Sequence, residues 1–272
     1  VLNADDDQVF SMTENIACHA ALFSMDPKNP SIHEHCAAGG LAAVFMDGNI
    51  LLRKGDWEIL IDKVVNIPLT YSGKAAFQIQ NVLAACLAAY VEGVKVEDLR
   101  IGLQTFFPSP AQLPGRMNIF ELNRFKVLID YAHNPASMEA IGRFVRTVGA
   151  SCSVGILAGT GDRRDEDLRE YGHAAGRYFD RVIVWEDQEY ARGRDSREIM
   201  DLVVEGARSS PGKTDAIVIP DEDDAVDYAL KEAVQDSIIC IFTGRIEAMT
   251  AKIKALQEQE ADPLISSAKE GA

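Results

Sequence analysis

In the second half of the chain, short unbroken apolar runs alternate with stretches whose apolar residues recur every three or four positions. The runs near 154–158, 182–185, 216–219 and 238–242 have the length and β-branched content of strands covered on both faces. Helical periodicity marks the stretches near 135–149, 165–178, 196–208, 222–234 and 245–257. Ahead of them, 117–122 and 125–129 flank Asn123-Arg124 as a hairpin. This alternation predicts an α/β fold with a doubly wound, mostly parallel sheet.

The first 70 residues read differently, as short strands and turns forming the edge of a β-rich lobe. Strands are predicted at 22–24, 42–46 and 49–53, the last two joined by an Asp47-Gly48 hairpin turn. From 73 to 93 the apolar positions Ile79, Val82, Leu83, Cys86, Leu87, Tyr90 and Val91 trace a helix. Alanines 84, 85, 88 and 89 fill its other faces, which predicts burial nearly all round. Gln78 and Asn81, one turn apart, could face a purine edge or be ordinary capping or solvent-facing amides. After a short helix at 96–105, three prolines and a glycine between Phe107 and Gly115 mark a stiff connection. They suggest one domain over 1–112, a second over 113–258, and a polar tail over 259–272.

Candidate chemistry gathers where strand gives way to helix. In Asp130-Tyr131-Ala132-His133-Asn134-Pro135, a strand ends, a polar turn follows, and Asn-Pro supplies an N-cap and first helical position. Open α/β sheets bind ligands at such turns. Asp130 could meet a ribose or a metal there, or be a strand-end carboxylate satisfied by backbone N–H groups. Arg116, at the domain junction, suits a phosphate, a base or a structural ion pair. Gly159-Thr160-Gly161-Asp162-Arg163-Arg164 also follows a strand, yet lacks the third glycine of a dinucleotide fingerprint. Asp162, Arg163 and Arg164 could hold an anionic or zwitterionic substrate or pair with Asp165-Glu166-Asp167.

Other motifs carry less. Residues 206–214 end in Gly-Lys-Thr but have one residue too many for a phosphate loop, and they leave a helix to enter a strand. Tyr71-Ser72-Gly73-Lys74 reads as a helix cap, and no G-x-S-x-G elbow occurs. Cys18-His19 and His33-x-His35-Cys36 raise a zinc site at non-standard spacing; the plainer reading is loop histidines with two buried thiols.

Composition narrows the field. At 272 residues, 47% apolar and 25% charged, the chain can build two cored domains. A net charge of −15 argues against tracking a nucleic-acid backbone. Five scattered cysteines without a C-x-x-C pair suggest reduced thiols in a cytosolic protein, and no membrane-length apolar span occurs. The opening Val1-Leu2-Asn3-Ala4-Asp5-Asp6 reads as a strand already under way, as in the carboxyl part of a longer protein.

Taken in order, Asn3-Ala4-Asp5-Asp6, the helix 77–85, Pro114-Gly115-Arg116-Met117, the turn 130–135 and Gly161-Asp162-Arg163-Arg164 resemble the carboxyl half of Mur-type ligases. The resemblance spans residues 1 to about 257. It implies the carboxyl part of the central ATP-binding domain followed by the Rossmann-like carboxyl-terminal domain. It also implies an ATP- and Mg2+-dependent amide ligase that phosphorylates a carboxylate and lets an amine attack the acyl phosphate.

By the same analogy Gln78 and Asn81 face adenine, Arg116 lies near the nucleotide and Asp130 holds the ribose. His133, Asn134, Asp162, Arg163 and Arg164 border the substrate. The likeness is greatest to members that add arginine to the side chains of an aspartate-rich peptide primer; a murein- or folylpolyglutamate-type ligase and a non-catalytic binding module are the alternatives. Where ligases adding diaminopimelate carry Asp-Asn-Pro-Arg, this chain has Glu186-Asp187-Gln188-Glu189-Tyr190. Carboxylates at Glu186, Asp187 and Glu189 suit a cationic side chain. The resemblance places the phosphate loop, the magnesium carboxylate and the modified lysine before residue 1. It therefore implies weak nucleotide binding and no turnover by this chain alone, with homo-oligomerisation left to the parent protein.

Overall fold

A computed structural model of the chain describes residues 1–212 and 214–261. The chain divides within the proline-rich connection into two compact units, Val1–Phe107 and a second that begins at Pro108.

The first unit comprises β1 (Leu2–Asn3), α1 (Asp7–Ser11), β2 (Ala21–Ser24), α2 (Pro30–Ala37), β3 (Leu41–Met46), β4 (Asn49–Lys54), β5 (Trp57–Lys63), α3 (Ala76–Val91) and α4 (Val96–Thr105). Its sheet runs β1-β2-β3-β4-β5, parallel through β3 and antiparallel thereafter. Asp47 and Gly48 both take positive φ, the conformation a two-residue turn between β3 and β4 requires.

Two expectations need correction here. Residues 33–36 are not a loop: Asn29 caps α2 by accepting from the Ser31 N–H at 2.9 Å, and Pro30 opens the helix. Cys36 is buried, but Cys18 is exposed. Nor is α3 enclosed all round. Ile79, Val82, Leu83, Cys86 and Leu87 pack into the core, whereas Asn81, Ala85 and Ala88 lie exposed, since a methyl group gives little reason for burial.

The second unit contains β6 (Asn118–Glu121), β7 (Phe125–Asp130), α5 (Pro135–Val148), β8 (Ser153–Leu157), α6 (Asp165–Tyr178), β9 (Arg181–Val184), α7 (Ser196–Arg208), β10 (Asp215–Val218), α8 (Glu222–Lys231), β11 (Ser237–Phe242) and α9 (Ile246–Ala261). The sheet order is β10-β9-β8-β11-β7-β6, with only the β6–β7 edge antiparallel. Helices α8 and α9 cover one face, where Ala225, Val226, Met249 and Ile253 pack on Val127, Ile129, Ile156 and Ile239. Helices α5, α6 and α7 pack side by side. On the other face Phe179, just after α6, lies against Gly155 and contacts Phe242 edge-on.

Helix α9 runs to Ala261, so the polar stretch expected from 259 begins inside a helix; residues 262–272 and Lys213 lie outside the described residues. No helix among the described residues is long and apolar enough to cross a membrane.

Candidate functional site

Strands β7, β8, β9 and β11 run parallel, so their carboxyl ends open on one edge of the sheet. Strand β8 leads outward to β9 and β10, while β11 returns to lie between β8 and β7. The reversal opens a crevice at the strand ends. One cavity there is lined by Tyr131, His133, Thr160, Trp185, Tyr190 and Phe242. A second, sharing Trp185, Asp187, Tyr190 and Gly244 with the first, is walled by Glu186, Glu189, Glu222 and Arg245.

At one border of the crevice, Asp130 secures the junction that carries Arg116. Its Oδ2 accepts from the Met117 N–H and its Oδ1 from the Ala132 N–H, both at 2.8 Å. Burial pushes its pKa up, against the pull of those N–H groups and of Arg116. The Asn118 side chain, which sequence reasoning missed, completes the turn: its Oδ1 accepts from the Gly115 N–H at 2.8 Å and its Nδ2 donates to the Leu113 carbonyl at 2.9 Å. Gly115 and Met117 both take positive φ. The exposed Arg116 guanidinium is left over the Tyr131 ring, 5.4 Å from its centroid.

In the turn itself, the Tyr131 and His133 rings meet edge-on at 5.0 Å, and His133 Nδ1 lies 3.0 Å from the Tyr131 carbonyl oxygen. Asn134 is engaged in capping α5, accepting from the Ser137 N–H at 2.9 Å. From α6, the buried Tyr171 hydroxyl donates to the Ala132 carbonyl at 2.9 Å and pins the turn from below.

The 159–164 loop divides its three candidates. Arg164 forms a two-point pair with Asp167, at 2.9 and 2.7 Å. Asp162 accepts from the Thr160 hydroxyl at 2.8 Å, and this bond holds its carboxyl below the usual range. Arg163 Nε makes no hydrogen bond and stands 3.9 Å from Asp162 Oδ1. Arg194, also missed in the sequence, holds the loop by donating to the Arg163 carbonyl at 3.0 Å and to Asp165 at 2.8 Å.

The acidic loop after β9 lines the second cavity. Asp187 is half-buried, accepts from the Tyr190 N–H at 3.0 Å, and is pushed up in pKa by burial with the Glu189 charge adding to it. Glu186 accepts from the Ser196 hydroxyl at 2.7 Å, whereas Glu189 is exposed. Glu222, at the start of α8, adds a carboxylate that only the folded sheet brings alongside.

In the first unit Gln78 is buried and accepts from Asn81 Nδ2 at 2.9 Å, so the two carboxamides act as one hydrogen-bonded pair. No group of three or more His, Cys, Asp or Glu among the described residues is placed to hold a metal ion.

Fold and crevice together define an α/β domain with a crevice beyond the ends of its parallel strands. Residues 115–245 match the family model "Mur ligase, glutamate ligase domain". The chain is 43% identical over 259 residues to the cyanophycin synthetase of Crocosphaera subtropica, covering 95% of this chain and 29% of that protein. It is 42% identical over 256 residues to the cyanophycin synthetase of a Synechocystis strain, covering 94% and 29%. Among solved structures, the bifunctional folylpolyglutamate synthase/dihydrofolate synthase of Yersinia pestis, complexed with AMPPNP and a manganese ion, superposes with a TM-score of 0.56 at 18% identity, covering 87% of this chain and 53% of that one. Through residues 115–245 the chain carries a Mur ligase domain. It spans about 29% of the length of the two cyanophycin synthetases.

Proposed function

We propose that this chain works as part of an ATP-dependent acid–amino-acid ligase that joins arginine to the aspartate side chains of a peptide primer. The observation that carries the reading is the acidic wall of the second cavity, in which Glu186, Asp187, Glu189 and Glu222 converge on a Mur ligase scaffold. A guanidinium is the natural counterpart of such a wall, because it can donate to two carboxylates at once in a fixed plane.

Arg116 and Asp130 are assigned to the nucleotide in this reading. Arg116 offers an exposed, permanently charged donor set for an anion. Each Asp130 oxygen already accepts one N–H and retains a lone pair for a hydroxyl. The Gln78–Asn81 pair is assigned to the adenine edge. Bound ATP and Mg2+ would supply the activating phosphoryl group, and no residue described here is assigned to the metal. His133, Asn134, Asp162, Arg163 and Arg164 are assigned to the substrate border; Asn134 and Arg164 serve it by fixing α5 and α6.

Kinetics of the full-length protein test the assignment. Asp187→Asn and Glu189→Gln should each raise the KM for arginine by about tenfold while leaving the KM for ATP within about twofold, as loss of a charge-assisted hydrogen bond requires. Unchanged arginine KM in both variants would contradict it.

A further inference from the structure

Two buried polar atoms in the second cavity's lining residues lack a partner within the chain. Glu222 is 3% exposed; its Oε2 lies 3.1 Å from Arg245 Nη1 and the Thr243 hydroxyl also steadies the carboxylate, but its Oε1 makes no hydrogen bond. Trp185 is 7% exposed, and its Nε1–H donates to nothing. Both residues line the cavity beside Asp187. A buried acceptor or donor left alone is disfavoured and uncommon, so one of each beside a single cavity points to a ligand carrying both complements.

Charge narrows the ligand. Arg245 divides its guanidinium between Glu222 and Asp223, at 3.1 and 2.9 Å, so Asp187 and Glu222 Oε1 remain without a cation of their own. We propose that Glu222 is the specificity-determining carboxylate for the incoming amino acid, accepting through Oε1 an N–H of a cationic side chain that also meets Asp187. An amino acid with such a side chain brings the donors that Glu222 lacks and, in its carboxylate, the acceptor that Trp185 lacks. The inference rests on the ligase reading above and adds to it a residue from a different helix.

Citrulline, which keeps the shape of arginine but not its charge, is the probe. The full-length protein should prefer arginine to citrulline in kcat/KM, and Glu222→Gln should cut that preference by about 10- to 100-fold through the arginine KM, with the ATP KM unmoved. Glu222→Asp, which keeps the charge, should retain most of the preference and serves where the Gln variant fails to fold. A wild-type protein indifferent to side-chain charge overturns both this inference and the arginine reading. A wild-type protein that prefers arginine, with the preference intact in Glu222→Gln, overturns this inference alone.

Discussion

Among the site's residues, three carboxylates of the second unit work against their own charge. Asp130, Asp187 and Glu222 all have pKa values raised chiefly by burial. A raised folded value means that folding favours the protonated acid, so the associated stability is present below the ordinary value and lost as pH rises through the folded one. For Glu222, with an ordinary value of 4.5, Glu222→Gln should therefore raise Tm at neutral pH, and the gain should shrink as the pH falls from the raised folded value towards the ordinary one. A Gln variant less stable than the wild type at pH 7 would mean that the Arg245 pair outweighs the burial. Such residues are the hardest to find in a sequence. Asp130, Asp187 and Glu189 sit beside recognisable turns, whereas Asn118, Tyr171, Trp185, Arg194 and Glu222 matter only because distant segments meet, and no local pattern distinguishes them from other core or surface positions.

At the level of elements, the alternating second half was legible because strands covered on both faces are apolar throughout and the helices between them keep a 3.6-residue period. The first half was less so. Asn29-Pro30 carries the same cap signal as Asn134-Pro135 but is masked in the sequence, because Ile32 and Cys36 are the only buried apolar residues of α2 and make a faint stripe. Close packing of α6 on α7 was likewise hidden. A Cβ at Gly172 would overlap the Val203 carbonyl oxygen, and one at Gly206 the Arg169 carbonyl oxygen. Since backbone cannot yield as a flexible side chain can, Gly172→Ala should separate the helices and cost about 1–3 kcal/mol. At roughly 2–4 °C per kcal/mol for a unit of this size, thermal denaturation should register the loss. An unchanged Tm would mean that α6 and α7 shift apart freely. Because Arg194 on the α7 side holds the Arg163 carbonyl, such a shift should also loosen the 159–164 loop.

For the whole molecule, a ligase fold alone does not name a substrate, since the same α/β scaffold serves many chemistries. In the proposed reading the acidic cavity wall selects a cationic amino acid; it is partly legible in Glu186-Asp187-Gln188-Glu189 and completed by Glu222 only in the folded chain. The most direct test is phosphate release from ATP by the full-length protein, supplied with an aspartate-rich peptide primer and each amino acid in turn. Release that requires arginine and primer together is the predicted result. Release driven by a neutral or acidic amino acid, or none with any amino acid from folded protein and a competent primer, would contradict the account.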